Sequence, residues 1–398
     1  MAQHQRLMAE NLIEIKKAES RFADLKKKES LDTFQSMPMP KEKQEDWRYT
    51  NIEKFKLDNF DLKNQETSIN SFEISPDLIE KGVILTDINS ALEDYPIARE
   101  HFSKSLKANN DKFVALCGAH FNHGIFLYIP KNVEIEEPIK VNFEIEGQTG
   151  ILHNLIFVDS NSKVDFIEEY SNIESHDDQL NSCVTEVFAN DNAKVNFYHL
   201  NKWSANAFNF TNIFGIIGRD ASVNWISGCF GGKLNRLKID TIFEGQGGQC
   251  KNLGIFLGKG KEHIDFTTNM YHNNLNTTND VLVDGILKEE STSVYRGLIK
   301  IPKEGQKTNS YLANHILKIG EKTLANSIPS LKIDANDVKA SHGATVGQIN
   351  EEHLFYLMAR GLSKQEAEAM IVEGFFEPII QKIPLEELRE KIREMVRG

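Results

Sequence analysis

Between about residues 113 and 338, apolar and polar positions alternate, and Asn, Asp and Gly punctuate the runs. Gly124-Ile125-Phe126-Leu127-Tyr128-Ile129-Pro130 and Ile139-Lys140-Val141-Asn142-Phe143-Glu144-Ile145 are examples. A period of two predicts half-buried strands joined by short turns. Three runs resemble one another: Ser160-Asn161-Ser162-Lys163-Val164-Asp165-Phe166, Asp191-Asn192-Ala193-Lys194-Val195-Asn196-Phe197 and Asp220-Ala221-Ser222-Val223-Asn224-Trp225. Their valines stand 31 and 28 residues apart. A repeat of that length predicts a solenoid, in which one coil cannot bury its inner face until the next stacks on it. Helical periodicity is missing here, which argues against alternating βα units, and a parallel β-helix is favoured over a sandwich. The repeat fades after residue 250, with a loose echo at Ser291-Thr292-Ser293-Val294-Tyr295. A stack of coils also has ends, and a terminal coil presents unpaired backbone groups that must be capped or paired with another chain.

The flanks read differently. Met8, Leu12, Ile15, Ala18, Phe22 and Leu25 recur at steps of three and four, predicting a helix over residues 5–30. Met37-Pro38-Met39-Pro40 ends it. From about residue 350 the pattern turns helical again. One helix is expected to stop at Gly361. A second starts at Ser363 with Glu366 as a capping box and runs to about Val372. A third, over residues 384–396, carries Leu385, Leu388, Ile392 and Met395 or Val396 on one stripe that must dock on the chain's own β-body or on a partner. The resulting division is 1–60 helical, 61–349 β-helix with its lead-in, and 350–398 helical.

Composition narrows the function. The net charge of -12 argues against a nucleic-acid partner, whose phosphates need a basic face. No apolar run reaches the length of a spanning helix and the polar N-terminus has no signal-like apolar core, so a cytoplasmic protein away from membranes is expected. The four cysteines, Cys117, Cys183, Cys229 and Cys250, are scattered, which disfavours a disulfide framework or a local zinc or cluster motif and favours buried thiols. No phosphate loop of Gly-Lys-Ser/Thr type, nucleophile elbow or His-Glu-x-x-His pattern is present, so no catalytic machinery is expected.

One stretch carries more. Lys339-Ala340-Ser341-His342-Gly343-Ala344-Thr345-Val346-Gly347 sets a histidine among small residues, and Leu354-Phe355-Tyr356-Leu357 and Arg360-Gly361-Leu362 follow it. Together with Glu45-Asp46-Trp47-Arg48-Tyr49-Thr50, Gly231-Gly232-Lys233-Leu234-Asn235-Arg236, His263-Ile264-Asp265 and His272, these residues resemble the SufD family, the scaffold subunits of the SUF iron–sulfur cluster assembly machinery. The paralogous SufB family shares the C-terminal pattern but has a Glu-His-Glu-Ala-type run where this chain has Ser341-His342-Gly343-Ala344, and it carries a late cysteine where none follows Cys250 here.

The resemblance implies a mainly β protein: a right-handed parallel β-helix between helical N- and C-terminal regions. It implies a non-catalytic scaffold in a complex with SufB and the ABC-type ATPase SufC, which supplies the ATPase activity, and a homodimer when isolated. SufB is expected at the C-terminal end of the β-helix, and SufC on the C-terminal helices around Phe355, Tyr356, Leu357, Arg360 and Gly361. No tightly bound cofactor is implied, only a transient iron or iron–sulfur cluster at the complex interface, for which His342 is the candidate ligand. The residue two before it, often cysteine in the family, is Ala340. Read from the residues alone, His342 can instead serve a strand-to-helix turn, and His263, Asp265 and His272 read as a polar ladder on the outer face rather than a metal site. The rival function is a β-helix enzyme acting on polysaccharide, a lyase or esterase, with carboxylates along one groove.

Overall fold

The computed structural model describes residues 12–14, 20–72, 74–104 and 111–397. Its body is a two-faced parallel β-solenoid. Sheet A runs in the order β1 (Leu12–Glu14), β2 (Thr67–Phe72), β5 (Ile139–Ile145), β7 (Lys163–Asn172), β9 (Lys194–Trp203), β11 (Ser222–Gly231), β13 (Gln249–Gly258), β15 (Thr278–Lys288), β17 (Asn309–Ile319) and β19 (Lys339–Gln348). Sheet B runs β3 (Ile84–Asp87), β4 (Ile125–Ile129), β6 (Thr149–Val158), β8 (Gln179–Ala189), β10 (Ala207–Ile217), β12 (Leu234–Phe243), β14 (His263–Tyr271), β16 (Thr292–Ile301) and β18 (Leu324–Ile333). Successive strands from β4 onward alternate between faces, and each pairs in parallel with the strand two positions on, so eight coils stack.

The repeat seen in the sequence is a column of side chains. Val164, Val195 and Val223 are register partners inside the stack. The column continues through Cys250, Asn279, Ser310 and Ala340. It fades in the sequence because polar residues take over a buried position. The echo at Ser291-Thr292-Ser293-Val294-Tyr295 lies in β16, on the opposite sheet. One corner of the coils repeats a left-handed residue at Asn132, Asn161, Asn192, Asp220, Gly247, Asn276 and Lys307. Asn and Asp tolerate that conformation, and their amides bond from coil to coil: Asn161 Nδ2 donates to Asn132 Oδ1 at 2.9 Å, and Asn192 Nδ2 to Asn161 Oδ1 at 3.1 Å.

The two ends differ. At the first coil, β3 pairs antiparallel with β4, and β2 with β5, so both strands of that coil have an antiparallel neighbour. At the last coil, β18 and β19 have no further strand beside them among the described residues.

Several expectations need correction. The predicted helix over residues 5–30 is a helix only from Arg21, capped by Ser20, and it extends to Ser36. Leu12–Glu14 is instead a strand against β2, and positions 5–11 and 15–19 lie outside the described residues. The run of solenoid strands expected from about residue 113 starts at Ile125, because Lys112–His120 is a helix buried along almost its whole length. The second C-terminal helix continues past Val372 to Ile380, through Gly374 and Pro378, because Phe376, Ile379 and Ile380 bury against the solenoid. The third spans Glu386–Arg397 and buries Leu388, Ile392 and Val396.

Helices cover both faces. The helices Lys364–Ile380 and Glu386–Arg397 pack on the outer side of sheet A, against Ile167, Tyr198, Leu200, Ile226, Phe230 and Ile255. Docking is therefore on the chain's own β-body. Helix Lys112–His120 and the segment from Trp47 to Phe60 pack on the outer side of sheet B, where Phe113 stacks on Phe210 at 3.4 Å between centroids. Among the described residues no helix is long and apolar enough to cross a membrane.

Candidate functional site

The last coil holds the candidate site. β19 runs in register with β17 from Asn309 opposite Lys339 to Lys318 opposite Gln348, which puts His342 beside Leu312. Paired residues in a parallel ladder point to the same face. Leu312 is buried in the core, so the His342 side chain points along the lumen axis side of the sheet, where no coil follows to cover it. His342 is exposed and lies inside a strand, not at a strand-to-helix turn.

The same reasoning exposes the rest of that layer. Leu331 and Ile333 of β18 pair with the buried Ile299 and Ile301, yet are themselves exposed, as is Val346 beside the buried Ile316. Earlier strands such as β6 and β8 are buried at every position, whereas β18 and β19 have no buried residue. The end of the stack is thus an uncovered core layer with an imidazole in it.

Immediately after β19, helix Glu351–Ala359 is capped by Asn350, whose Oδ1 accepts from the Glu352 and His353 amides. It buries only Leu354 and part of Leu357 against the body. Phe355 is 72% and Tyr356 56% exposed, with Met358 and Met370 also open. Arg360 lies over the Tyr356 ring at 4.9 Å and donates to its hydroxyl at 2.7 Å. Gly361 takes a φ of 99° and donates to Met358 O at 3.0 Å, which ends the helix.

The other histidines that the sequence suggested have structural partners. His263 and Asp265 do project from the outer face of sheet B, where the segment through Thr50 leaves His263 half-buried and Asp265 buried. Asp265 lies 3.3 Å from Arg236 Nε and 2.6 Å from Arg296 Nη1, and accepts from Thr50 Oγ1 at 2.6 Å. Burial alone raises its carboxyl; the Arg236 and Arg296 guanidiniums outweigh that and hold it below the ordinary carboxylate range. Arg236 also donates to Asp46 O at 3.2 Å and stacks on Trp47 at 3.9 Å, and Arg296 donates to Arg48 O. The sequence flagged the Trp47 run and Arg236 separately. Arg296 escaped notice because it belongs to the next coil. His272 stacks on Phe243 at 4.5 Å, with Thr277 Oγ1 and Asn279 Oδ1 each 2.7 Å from its ring nitrogens.

A second polar cluster, missed in the sequence, fills part of the lumen. His199 Nδ1 meets Glu168 Oε1 at 2.7 Å, and Tyr170 donates to Glu168 Oε2 at 3.0 Å while sitting 3.2 Å from Cys183 Sγ. All four cysteines are buried and free of disulfides. Burial pushes the Cys229 and Cys250 thiols up to about 12, and raises the Cys117 and Cys183 thiols well above the ordinary range as well. A protonated, enclosed thiol is neither a metal ligand nor a sulfur acceptor. Among the described residues no group of three or more His, Cys, Asp or Glu side chains is placed to hold a metal ion. His342 is the open imidazole in the uncovered last coil among the described residues.

Comparison with known proteins bears on the chain's family. The family model described as "SUF system FeS cluster assembly, SufBD core domain" matches residues 143–375, and the "SufBD protein N-terminal region" matches residues 70–141. The chain is similar to the iron-sulfur cluster assembly protein SufD of Bacillus subtilis, 28% identical over 402 residues that cover 92% of each chain. It is also similar to SufB of Bacillus subtilis, 30% identical over 324 residues, or 81% of this chain and 70% of that one. An iron-sulfur cluster assembly SufBD family protein of Staphylococcus epidermidis is 30% identical over 325 residues, again 81% of this chain and 70% of the other.

Proposed function

We propose that this chain, which belongs to the SufBD family of the SUF iron–sulfur cluster assembly system, is its SufD-type scaffold subunit, working in the cytoplasm without catalytic chemistry of its own. Its open last coil pairs with SufB, or with a second copy when SufB is absent. Helix Glu351–Ala359 and Arg360 form the docking surface for the SufC ATPase through Phe355, Tyr356 and Leu357, with Gly361 fixing the helix end.

The observation that carries this reading is the contrast at the end of the stack. Apolar residues that belong to a core layer are uncovered there, beside His342, while every cysteine of the chain is sealed. Uncovered layers of this kind mark interaction sites. Neutral imidazole binds iron, and the thiolates and inorganic sulfur that complete a cluster come from the partner side of the interface. Iron and sulfide are cargo here.

The energy input comes from SufC. Helix Glu351–Ala359 follows β19 after two residues, so a force on Phe355 and Tyr356 acts on the strand that carries His342. Nucleotide-driven closure of SufC strains the open end through this connection and admits iron and sulfur. The polysaccharide reading is weaker: it needs a long open groove on one face, and helices occupy sheet A while the first coils of sheet B lie under helix Lys112–His120.

The test is capture from native extract followed by reconstitution. SufB and SufC are expected to co-purify with the tagged chain, and the complex to assemble a cluster from iron and a sulfur donor on ATP hydrolysis. Capture of neither partner, or release of unsaturated sugars from uronic acid polymers, defeats the reading.

A further inference from the structure

On the outer side of sheet B, the stretch from Phe34 to Leu62 and Lys112 of helix Lys112–His120 line a cavity of about 1000 Å³. Phe34, Met37, Met39, Ile52, Phe55 and Phe60 give it apolar walls. Size and lining are those of a small-molecule site, in which a few polar groups fix the ligand's orientation. The two thioethers adapt readily to a flexible body. Phe55 packs on Phe208 of β10, four strands from β18, so the cavity is remote from the open last coil.

Lys112 supplies the polar group. It is only 9% exposed. Its Nζ donates to Phe34 O and, at 2.7 Å, to Met37 O, and it lies 3.9 Å from the centre of the Phe34 ring. An ammonium has three donors, and among the described residues the third has no acceptor. Neither carbonyl carries a charge. The neighbouring acid, Asp111, is engaged elsewhere: it accepts from the Phe113 amide at 2.7 Å and lies 3.3 Å from Arg236 Nη1. Burial lowers the Lys112 pKa from the ordinary lysine value, with no carboxylate to offset it. Lys112 also opens its helix, at the end where the macrodipole adds positive potential. Buried charges are normally paired, and this one has a cavity beside it instead.

The rim sets the charge of the ligand. Lys41, Lys43 and Lys56 stand there with Glu42, Glu53 and Asp58, all exposed. These three lysines and three acids cancel, so the single net positive charge of the lining rests on Lys112. A polyphosphate head brings more negative charge than that site can neutralise, whereas a carboxylate brings one.

We propose that this cavity binds an acyl monocarboxylate, with the carboxylate on Lys112 Nζ and the hydrocarbon chain along Phe34, Phe55 and Phe60. The carboxylate takes the third donor and pairs the ammonium away from bulk water, where a charge-assisted bond is strong. An uncharged chain of equal length keeps the apolar contacts and loses that bond. Acetate keeps the bond and loses the contacts. The inference goes beyond the assembly reading and does not depend on it.

The experiment is calorimetric titration of the full chain with decanoate, 1-decanol and acetate. Decanoate is expected to bind about tenfold or more tighter than 1-decanol, and acetate to give no heat at the same concentrations. Lys112→Met keeps an apolar stem of similar length; it should weaken decanoate about tenfold or more and leave 1-decanol within about twofold. Lys41→Ser, at the solvated rim, should leave decanoate within about twofold. A diazirine-bearing decanoate should label the stretch 34–60 on irradiation. The proposal is overturned if decanoate does not bind, binds no tighter than 1-decanol, or binds Lys112→Met as well as the parent. It is equally overturned if the label falls only on the exposed Phe355, Tyr356 and Met358. Should Lys112→Met not fold, the decanoate to 1-decanol ratio and the labelled position, both measured on the unmodified chain, decide.

Discussion

His342 lies in register with Leu312, one coil further along the stack, and the buried leucine and the exposed imidazole point the same way. The histidine thus occupies a core position from which the core has been withheld. His342→Ala removes little that the isolated fold uses, so unfolding free energy is expected to change by no more than about 0.5 kcal/mol. Cluster formation in the reconstituted complex is expected to slow about tenfold or more, as for loss of a metal-ligating group. Parallel urea melts and cluster absorbance traces check both halves; full-rate assembly would remove His342 from the ligand set.

The Asp265 carboxylate holds two buried guanidiniums, Arg236 and Arg296, under the Glu45–Trp47 turn. Asp265→Ala leaves Arg296 without its carboxylate partner and Arg236 with Asp111 alone. The expected cost is about 3–5 kcal/mol. The segment near Trp47 and Thr50 should become the first site of proteolytic cleavage, which timed digestion with mass analysis would reveal.

His272 gives the fold a pH dependence of known sign. Burial lowers its pKa to about 4 in the folded chain, against about 6.5 when unfolded. Between those values the unfolded chain binds a proton that the folded chain refuses. Its contribution is complete above about pH 6.5 and is lost as pH falls toward 4, by roughly 3 kcal/mol in all. Urea midpoints at pH 7 and pH 4.5 measure the drop, and His272→Gln should flatten it.

Phe355 and Tyr356 stand clear of the body, so the Phe355→Ser, Tyr356→Ser double variant should melt within a few degrees of the parent. Capture of the SufC ATPase by the same variant should fall below detection, while pairing through the open coil persists. A variant that still retains SufC would move the docking surface elsewhere.

The stack was legible in the sequence where its inward column is apolar, at Val164, Val195 and Val223. It was hidden where Asn279 takes the column, a residue satisfied by His272, Ser310 and Tyr311 O. Helix Lys112–His120 gave no helical signal because it is buried on all sides and has no polar stripe to mark a period. Pro378 and Gly374 read as stops, but burial of Phe376, Ile379 and Ile380 outweighs their poor helix propensity. His342 was found by motif. Its orientation needed the register with Leu312, and that depends on a strand 30 residues earlier. Arg296 could not be joined to Asp265 from spacing alone, since the two meet only through the β14–β16 ladder.

Because β2 and β3 lie antiparallel across the first coil, that terminus does not repeat the parallel coils behind it. A change of strand direction interrupts the template that a further parallel coil would need. Such an interruption is one way in which a repetitive β-rich chain limits fibre formation.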